Sequence, residues 1–142
     1  MKDSRPVLLV EDDSIDAMTV QRAFRDLKVT NPLKRTVNGE DALAYLRNPA
    51  NDKPCVILLD LNMPKLDGRE VLRQMADYPN LRRIATVVLT TSSQEQDILY
   101  SYDLGAKSYI AKPENLERYE SVLRVLEHYW FHIVLLPPRE SD

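Results

Sequence analysis

Cysteine is almost missing from this 142-residue chain, where Cys55 stands alone. With no second thiol an intramolecular disulfide is impossible, and Cys55, at the start of an apolar run, reads as a small core residue in a reducing, cytoplasmic setting. Histidine is nearly as scarce. His128 and His132 are the only two, so no His/Cys cluster exists to hold a softer metal such as zinc. Long apolar runs are missing as well. Val7 to Val10 is four residues followed by three acids, too short for a secretory signal despite Lys2 and Arg5 ahead of it. Ile133 to Leu136 falls far below a membrane span. Nor is there a block of positive charge: 19 basic residues lie scattered among 22 acidic ones, for a net charge of -3. That weighs against a nucleic-acid partner.

What is present is a repeated alternation. At 142 residues with 44% hydrophobic content, the chain suits one domain over 1–142, with a core of about 6–131 and an apolar extension from 132 to 142. Val7 to Val10, Val56 to Leu59 and Val87 to Leu89 are short continuous runs of Val, Ile and Leu, the pattern of parallel strands covered on both faces. Leu33 to Val37 is a weaker strand and Ser108 to Ile110 a short fifth. Between them lie stretches of helical spacing. Ile15 to Leu27 offers Ile15, Met18, Ala23, Phe24 and Leu27 as its apolar side; Glu40 to Leu46 and Arg69 to Met75 follow the same pattern.

A helix is expected from about Gln94 to Leu104, capped by Thr91, Ser92 or Ser93 and stopped by Gly105. A last one is expected over Leu116 to Phe131, with Leu116, Tyr119, Val122, Leu123, Leu126 and Tyr129 inward. Strands alternating with helices imply an α/β fold, a doubly wound parallel sheet with right-handed crossovers and helices on both faces.

In such sheets ligands gather at the carboxyl ends of the strands. The residues there are unusual. Glu11, Asp12 and Asp13 follow the first strand, Asp60 the third, Thr90 the fourth and Lys112 the fifth. Carboxylates converging on one edge repel one another unless a positive charge sits among them. Oxygen ligands suit a hard ion, Mg²⁺, which favours phosphate-bearing partners. An aspartate held beside such an ion, with a hydroxyl and a lysine near, meets the needs of phosphoryl transfer to a carboxylate.

With these residues in view, the chain resembles the receiver domains of two-component response regulators from about Val7 to Phe131. The motifs are "LLVEDD", "LLDLNMPKLDG", "VVLTTS" and "GAKSYIAKP", in order. The resemblance implies a five-stranded sheet of flavodoxin-like order 2-1-3-4-5. It makes Asp60 the acceptor of a phosphoryl group from a histidine kinase, and Glu11, Asp12, Asp60 and the backbone carbonyl of Asn62 the Mg²⁺ ligands. It makes Thr90 and Tyr109 the switch pair, Lys112 the partner of the phosphoryl group, and the Lys112–Pro113 bond cis. Such a protein is not an enzyme in the ordinary sense; it catalyses only its own phosphorylation and dephosphorylation.

Glu11 stands where many members have Asp, and Glu114 replaces a usual apolar residue after Pro113. Asp13 reads as a solvated or helix-opening residue. No output domain is expected to follow. The tail "LEHYWFHIVLLPP", Leu126 to Pro138, resembles that of single-domain regulators that partner phytochrome-type histidine kinases. The tail is expected to fold on the domain or cover a second subunit. A homodimer would use the helix at 94–104, the strand at 108–110, the helix at 116–131 and this tail, with Tyr100 and Tyr102 in the patch. His128 and His132 read as a partly exposed helical pair. Two other readings remain open: a Mg²⁺-dependent phosphatase working through an aspartyl-phosphate, and a binding module of the same fold that ignores phosphorylation.

Overall fold

A computed structural model describes residues 4–139. Five strands, β1 (Val7–Val10), β2 (Leu33–Thr36), β3 (Val56–Leu59), β4 (Ala85–Thr90) and β5 (Ser108–Ala111), form one parallel sheet of order β2-β1-β3-β4-β5. β1, β3 and β4 are buried throughout, as unbroken apolar runs require when both faces are covered. Alternate residues serve opposite layers. Leu8, Val10, Ile57, Leu59 and Val88 face α2 (Gly39–Arg47), α3 (Gly68–Ala76) and the one-turn α4 (Pro79–Arg82). Val7, Leu9, Val56, Leu58 and Val87 face α1 (Ser14–Asp26) and α6 (Leu116–His128). α5 (Glu95–Asp103) lies against β5 and α3.

Helix starts are specified by side-chain oxygens that accept orphan backbone N–H groups. Asp13 caps α1, Asn38 caps α2, Asp67 caps α3 and Asn115 caps α6. Gly105, at φ 103, ends the α5 segment in the left-handed region, where glycine carries no Cβ penalty.

Several expectations are corrected. α1 is rotated about its axis: Ile15 and Met18 are exposed, whereas Ala17, Val20, Ala23 and Phe24 are buried. Helical spacing names a face only to within a residue or so, and packing chooses the angle. In α6, Leu116 is exposed for the same reason, and Tyr129 lies beyond its end, also exposed. The last helix stops at His128 and continues as a π-helical turn, Tyr129–Ile133. Thr91, Ser92 and Ser93 do not cap α5; Gln94 occupies that position without a side-chain bond. The turn α4, opened by Pro79 at its first helical position, was not anticipated. Among the described residues no peptide bond is cis, so Lys112–Pro113 is trans, the form an X–Pro bond favours unless its surroundings oppose it. Backbone pairing with β4 aims the lysine instead: Lys112 N–H donates to the Thr90 carbonyl at 2.7 Å.

The tail folds back on its own domain. Trp130, Phe131 and Leu136 pack against the core on the α1/α6 side, with Phe131 edge-on to Phe24 at 5.9 Å. Arg5 Nη2 donates to the Pro137 carbonyl at 2.8 Å, and Arg139 pairs with Asp52. Arg5 precedes β1 and Asp52 precedes β3, so the tail covers the amino-terminal edge of the sheet. His128 and His132 stack at 5.7 Å there, and His132 Nε2 bonds the buried Glu127 carboxylate at 2.7 Å. No helix among the described residues is long and apolar enough to cross a membrane.

Candidate functional site

The parallel register builds the site. Val10 pairs with Leu59, so the next residues, Glu11 and Asp60, leave adjacent strands side by side. Thr90 pairs with Ala111, so Lys112 follows immediately beside it. The ladder continues past the strand ends, with Glu11 N–H to Thr36 O at 3.0 Å and Asp60 N–H to Val10 O at 3.0 Å. Functional side chains therefore stand on rigid backbone. Glu11, Asp60 and Thr90 are buried, and Asp12 is exposed at the rim.

Lys112 closes the cluster. Its Nζ donates to Glu11 Oε1 at 2.5 Å, Asp16 Oδ2 at 2.9 Å and Asp60 Oδ2 at 3.5 Å, and the side chain is 5% exposed. Burial alone would lower the lysine pKa. The bond to Glu11 and the charges of Asp60 and Glu11 outweigh that and lift it above its ordinary value, so the ammonium stays charged. Burial pushes the Glu11 carboxyl up to about 7, against the opposing pull of Lys112 and with Asp60 adding to the rise.

Asp16 was not singled out from the sequence. It lies in the first turn of α1, which begins four residues past β1 and so overhangs the same sheet edge; that offset was the available signal. Arg35 was missed too. From the edge strand β2 its Nε donates to the Glu11 carbonyl at 3.0 Å and its Nη2 to the Asp12 carbonyl at 3.2 Å, bracing the acidic loop.

The loop after Asp60 is shaped around it. Asn62 N–H donates to Asp60 Oδ1 at 3.2 Å, and Asn62 Nδ2 donates to Thr90 Oγ1 at 3.3 Å. Gly68 presses on the backbone at Asp60: a Cβ there would lie 2.3 Å from the Asp60 carbonyl oxygen. Tyr109 is half-buried, and its hydroxyl donates to the Ser92 carbonyl at 2.9 Å. Pro113 is half-buried beside Lys112, and Glu114 is exposed.

Glu11, Asp12 and Asp60 each offer an oxygen, all within 4.8 Å of one another. An all-oxygen set of this size can hold a divalent cation. The two histidines sit at the opposite edge of the sheet and take no part.

A fold of this order, with an acidic trio, a buried lysine and a hydroxyl at its carboxyl edge, defines the response regulator receiver domain, whose sequence profile matches residues 7–135. The chain belongs to that family. It is 38% identical over 135 residues to the response regulator Rcp1 of Synechocystis, covering 92% of each chain. It is 39% identical over 127 residues to a probable methanogenesis regulatory protein, FilR2, of Methanothrix harundinacea, covering 87% of this chain and 82% of that one. Its structure matches the phosphorylated cyanobacterial phytochrome response regulator RcpA with a TM-score of 0.91 at 38% identity, over 96% of this chain and 100% of the other. The Mn²⁺-bound form of Rcp1 matches with a TM-score of 0.90 at 38% identity, over 94% and 99%.

Proposed function

We propose that this chain is a single receiver domain that takes a phosphoryl group on Asp60 from a histidine kinase and signals through a changed protein-binding face. The observation that carries this is the contact of one buried ammonium, Lys112 Nζ, with both Glu11 and Asp60. Glu11, Asp12, Asp60 and the Asn62 carbonyl are the proposed ligands of Mg²⁺. When bound, the ion would offset the negative charge that gathers on the phosphoryl oxygens.

The remaining chemistry falls to this chain's own groups. The phosphohistidine N–P bond breaks as an Asp60 oxygen forms the new O–P bond, and the imidazole nitrogen leaves with the electron pair. Lys112, already beside Asp60, pairs with the phosphoryl oxygens. Thr90 donates its hydroxyl to another of them. Tyr109 changes position as the loop after β4 moves. Self-dephosphorylation is the only turnover proposed: the residue two places after Asp60 is Asn62, which cannot serve as the general acid of an aspartyl-phosphate phosphatase.

The phytochrome connection rests on the likeness to RcpA and Rcp1 and on the tail. Homodimerisation through α5, β5, α6 and the tail is supported by exposed Leu99, Tyr102, Val125 and Ile133. Incubation with acetyl phosphate and Mg²⁺ should add one phosphoryl mass to the wild type and none to Asp60→Asn. An unmodified wild type, also with cognate kinases, would sink the reading.

A further inference from the structure

α5 has little to hold it by hydrophobic burial. Its buried residues are Asp97 and Ser101, and the Ser101 hydroxyl has no hydrogen-bond partner. Leu99, Tyr100 and Tyr102 face solvent. What ties the helix down is a side-chain network. Arg69 Nε and Nη2 reach the two oxygens of Asp97 at 2.8 Å each, a two-pronged pair with Asp97 only 8% exposed. Ser92 Oγ donates to the same carboxylate at 2.6 Å. Both bonds hold the Asp97 carboxyl below its ordinary pKa.

One end of this network reaches the chain around Asp60, the other the segment after Thr90. Arg69 follows Gly68, which is wedged on the Asp60 carbonyl, and its N–H donates to Asp67 Oδ1 at 3.0 Å. Its Nη1 reaches Asp67 Oδ2 at 3.4 Å and Asn62 Oδ1 at 3.5 Å, and Asn62 in turn holds Thr90 Oγ1. At the other end, Ser92 accepts the Tyr109 hydroxyl on its carbonyl. Ser92 is two residues past Thr90, the last residue of β4. Thr90 Oγ1 here accepts from Asn62 Nδ2, and among the described residues no hydrogen bond joins Thr90 to Asp60, so a phosphoryl group on Asp60 would offer its hydroxyl a new partner. Any movement of Thr90 toward it drags Ser92 against Asp97 and Arg69.

We propose that Arg69 and Asp97 form a clamp that positions the 91–94 loop, and through it Thr90 and Tyr109, in the unphosphorylated arrangement. Arg69 and Asp97 are positioning residues: they set how readily Asp60 is phosphorylated by restraining the segment that carries the Thr90 hydroxyl. This rests on the receiver reading above. A contact that is made in one state and strained in the other biases the equilibrium by its differential strength alone.

The test uses the full chain with acetyl phosphate and Mg²⁺, following phosphoryl uptake by intact mass. Arg69→Gln and Asp97→Asn should each take up phosphate about fivefold faster or more than the wild type. A ¹⁹F-tyrosine signal assigned to Tyr109 should shift in these variants before any phosphodonor is added. Damage to the fold would slow uptake, not speed it. Ser92→Ala, which spares the ion pair, guards against misfolding of the other two and should also be faster. Its combination with Asp97→Asn should match Asp97→Asn alone. Folded variants with wild-type or slower uptake and an unmoved Tyr109 signal would overturn the clamp. A wild type that takes no phosphate from acetyl phosphate or from cognate kinases, while Tyr109 shifts in the variants, would instead overturn the phosphoacceptor reading.

Discussion

Lys112 Nζ lies 2.5 Å from Glu11 Oε1 and 3.5 Å from Asp60 Oδ2, so one buried ammonium separates two buried carboxylates that leave adjacent strands. Removing it exposes each acid to the other. Lys112→Met should cost about 3 kcal/mol of stability in metal-free protein near pH 8, read by urea unfolding, because buried charge is left uncompensated. Added Mg²⁺ should return part of that loss. Phosphoryl uptake should still fall well below wild type.

The Glu11 carboxyl gives a pH dependence with a definite sign. Its folded pKa, about 7, stands above the ordinary 4.5, so between these values the folded protein holds a proton that the unfolded chain has released. The Glu11 contribution therefore lowers metal-free stability as pH rises from 4.5 to about 7. Lys112 does not oppose this, because a raised lysine pKa contributes stability that is fully present below the ordinary 10.5. Metal ligation needs Glu11 ionised, so apparent Mg²⁺ affinity should climb between pH 6 and 8. Calorimetric titration at those two values checks it; equal affinities would remove Glu11 from the ligand set.

Two glycines should respond differently to alanine. At Gly68 the added Cβ meets the Asp60 carbonyl oxygen at 2.3 Å, a backbone atom that cannot swing aside. Gly68→Ala should cost about 1–3 kcal/mol and slow phosphoryl uptake by displacing Asp60. At Gly105 the nearest atom, Arg82 Cγ, is 3.5 Å away, and only the φ of 103 is unfavourable. Gly105→Ala should cost about 1 kcal/mol and leave uptake unchanged.

The tail lies at the edge of the sheet opposite Asp60. A four-residue strand such as β1 spans about 13 Å, so the two sites are mechanically distant. A chain ending at Ile133 loses Leu136 and the Arg5–Pro137 bond, and should melt about 4 °C lower while keeping the wild-type rate of uptake. Light scattering on the same two chains tests dimerisation: a mass unchanged by truncation would take the tail out of any dimer interface.

Much of the fold was legible because each apolar run is short, unbroken and followed at once by polar residues. Strand-end chemistry was legible for the same reason: Glu11, Asp60 and Lys112 each follow a strand directly, and Thr90 closes one. Less legible was anything that depends on rotation about a helix axis. Ile15 and Met18 fit the spacing of an inward face as well as Ala17 and Val20 do, and only contact with the sheet distinguishes them. The Lys112–Pro113 bond was a matter of tertiary context, since either isomer is compatible with the sequence.

By itself, then, the sequence determined that five strands alternate with helices and that reactive side chains end those strands, because side-chain periodicity and run length are local properties. The tertiary structure decided which of those side chains meet. Lys112 reaches Glu11 across 101 positions of sequence only because β1 and β3 are neighbours and β4 carries β5 at its far side. Asp16 and Arg35 joined the site, the tail settled on the far edge, and Arg69 found Asp97. Each is a contact between distant segments, and strand order and helix rotation, which no local pattern encodes, bring them together.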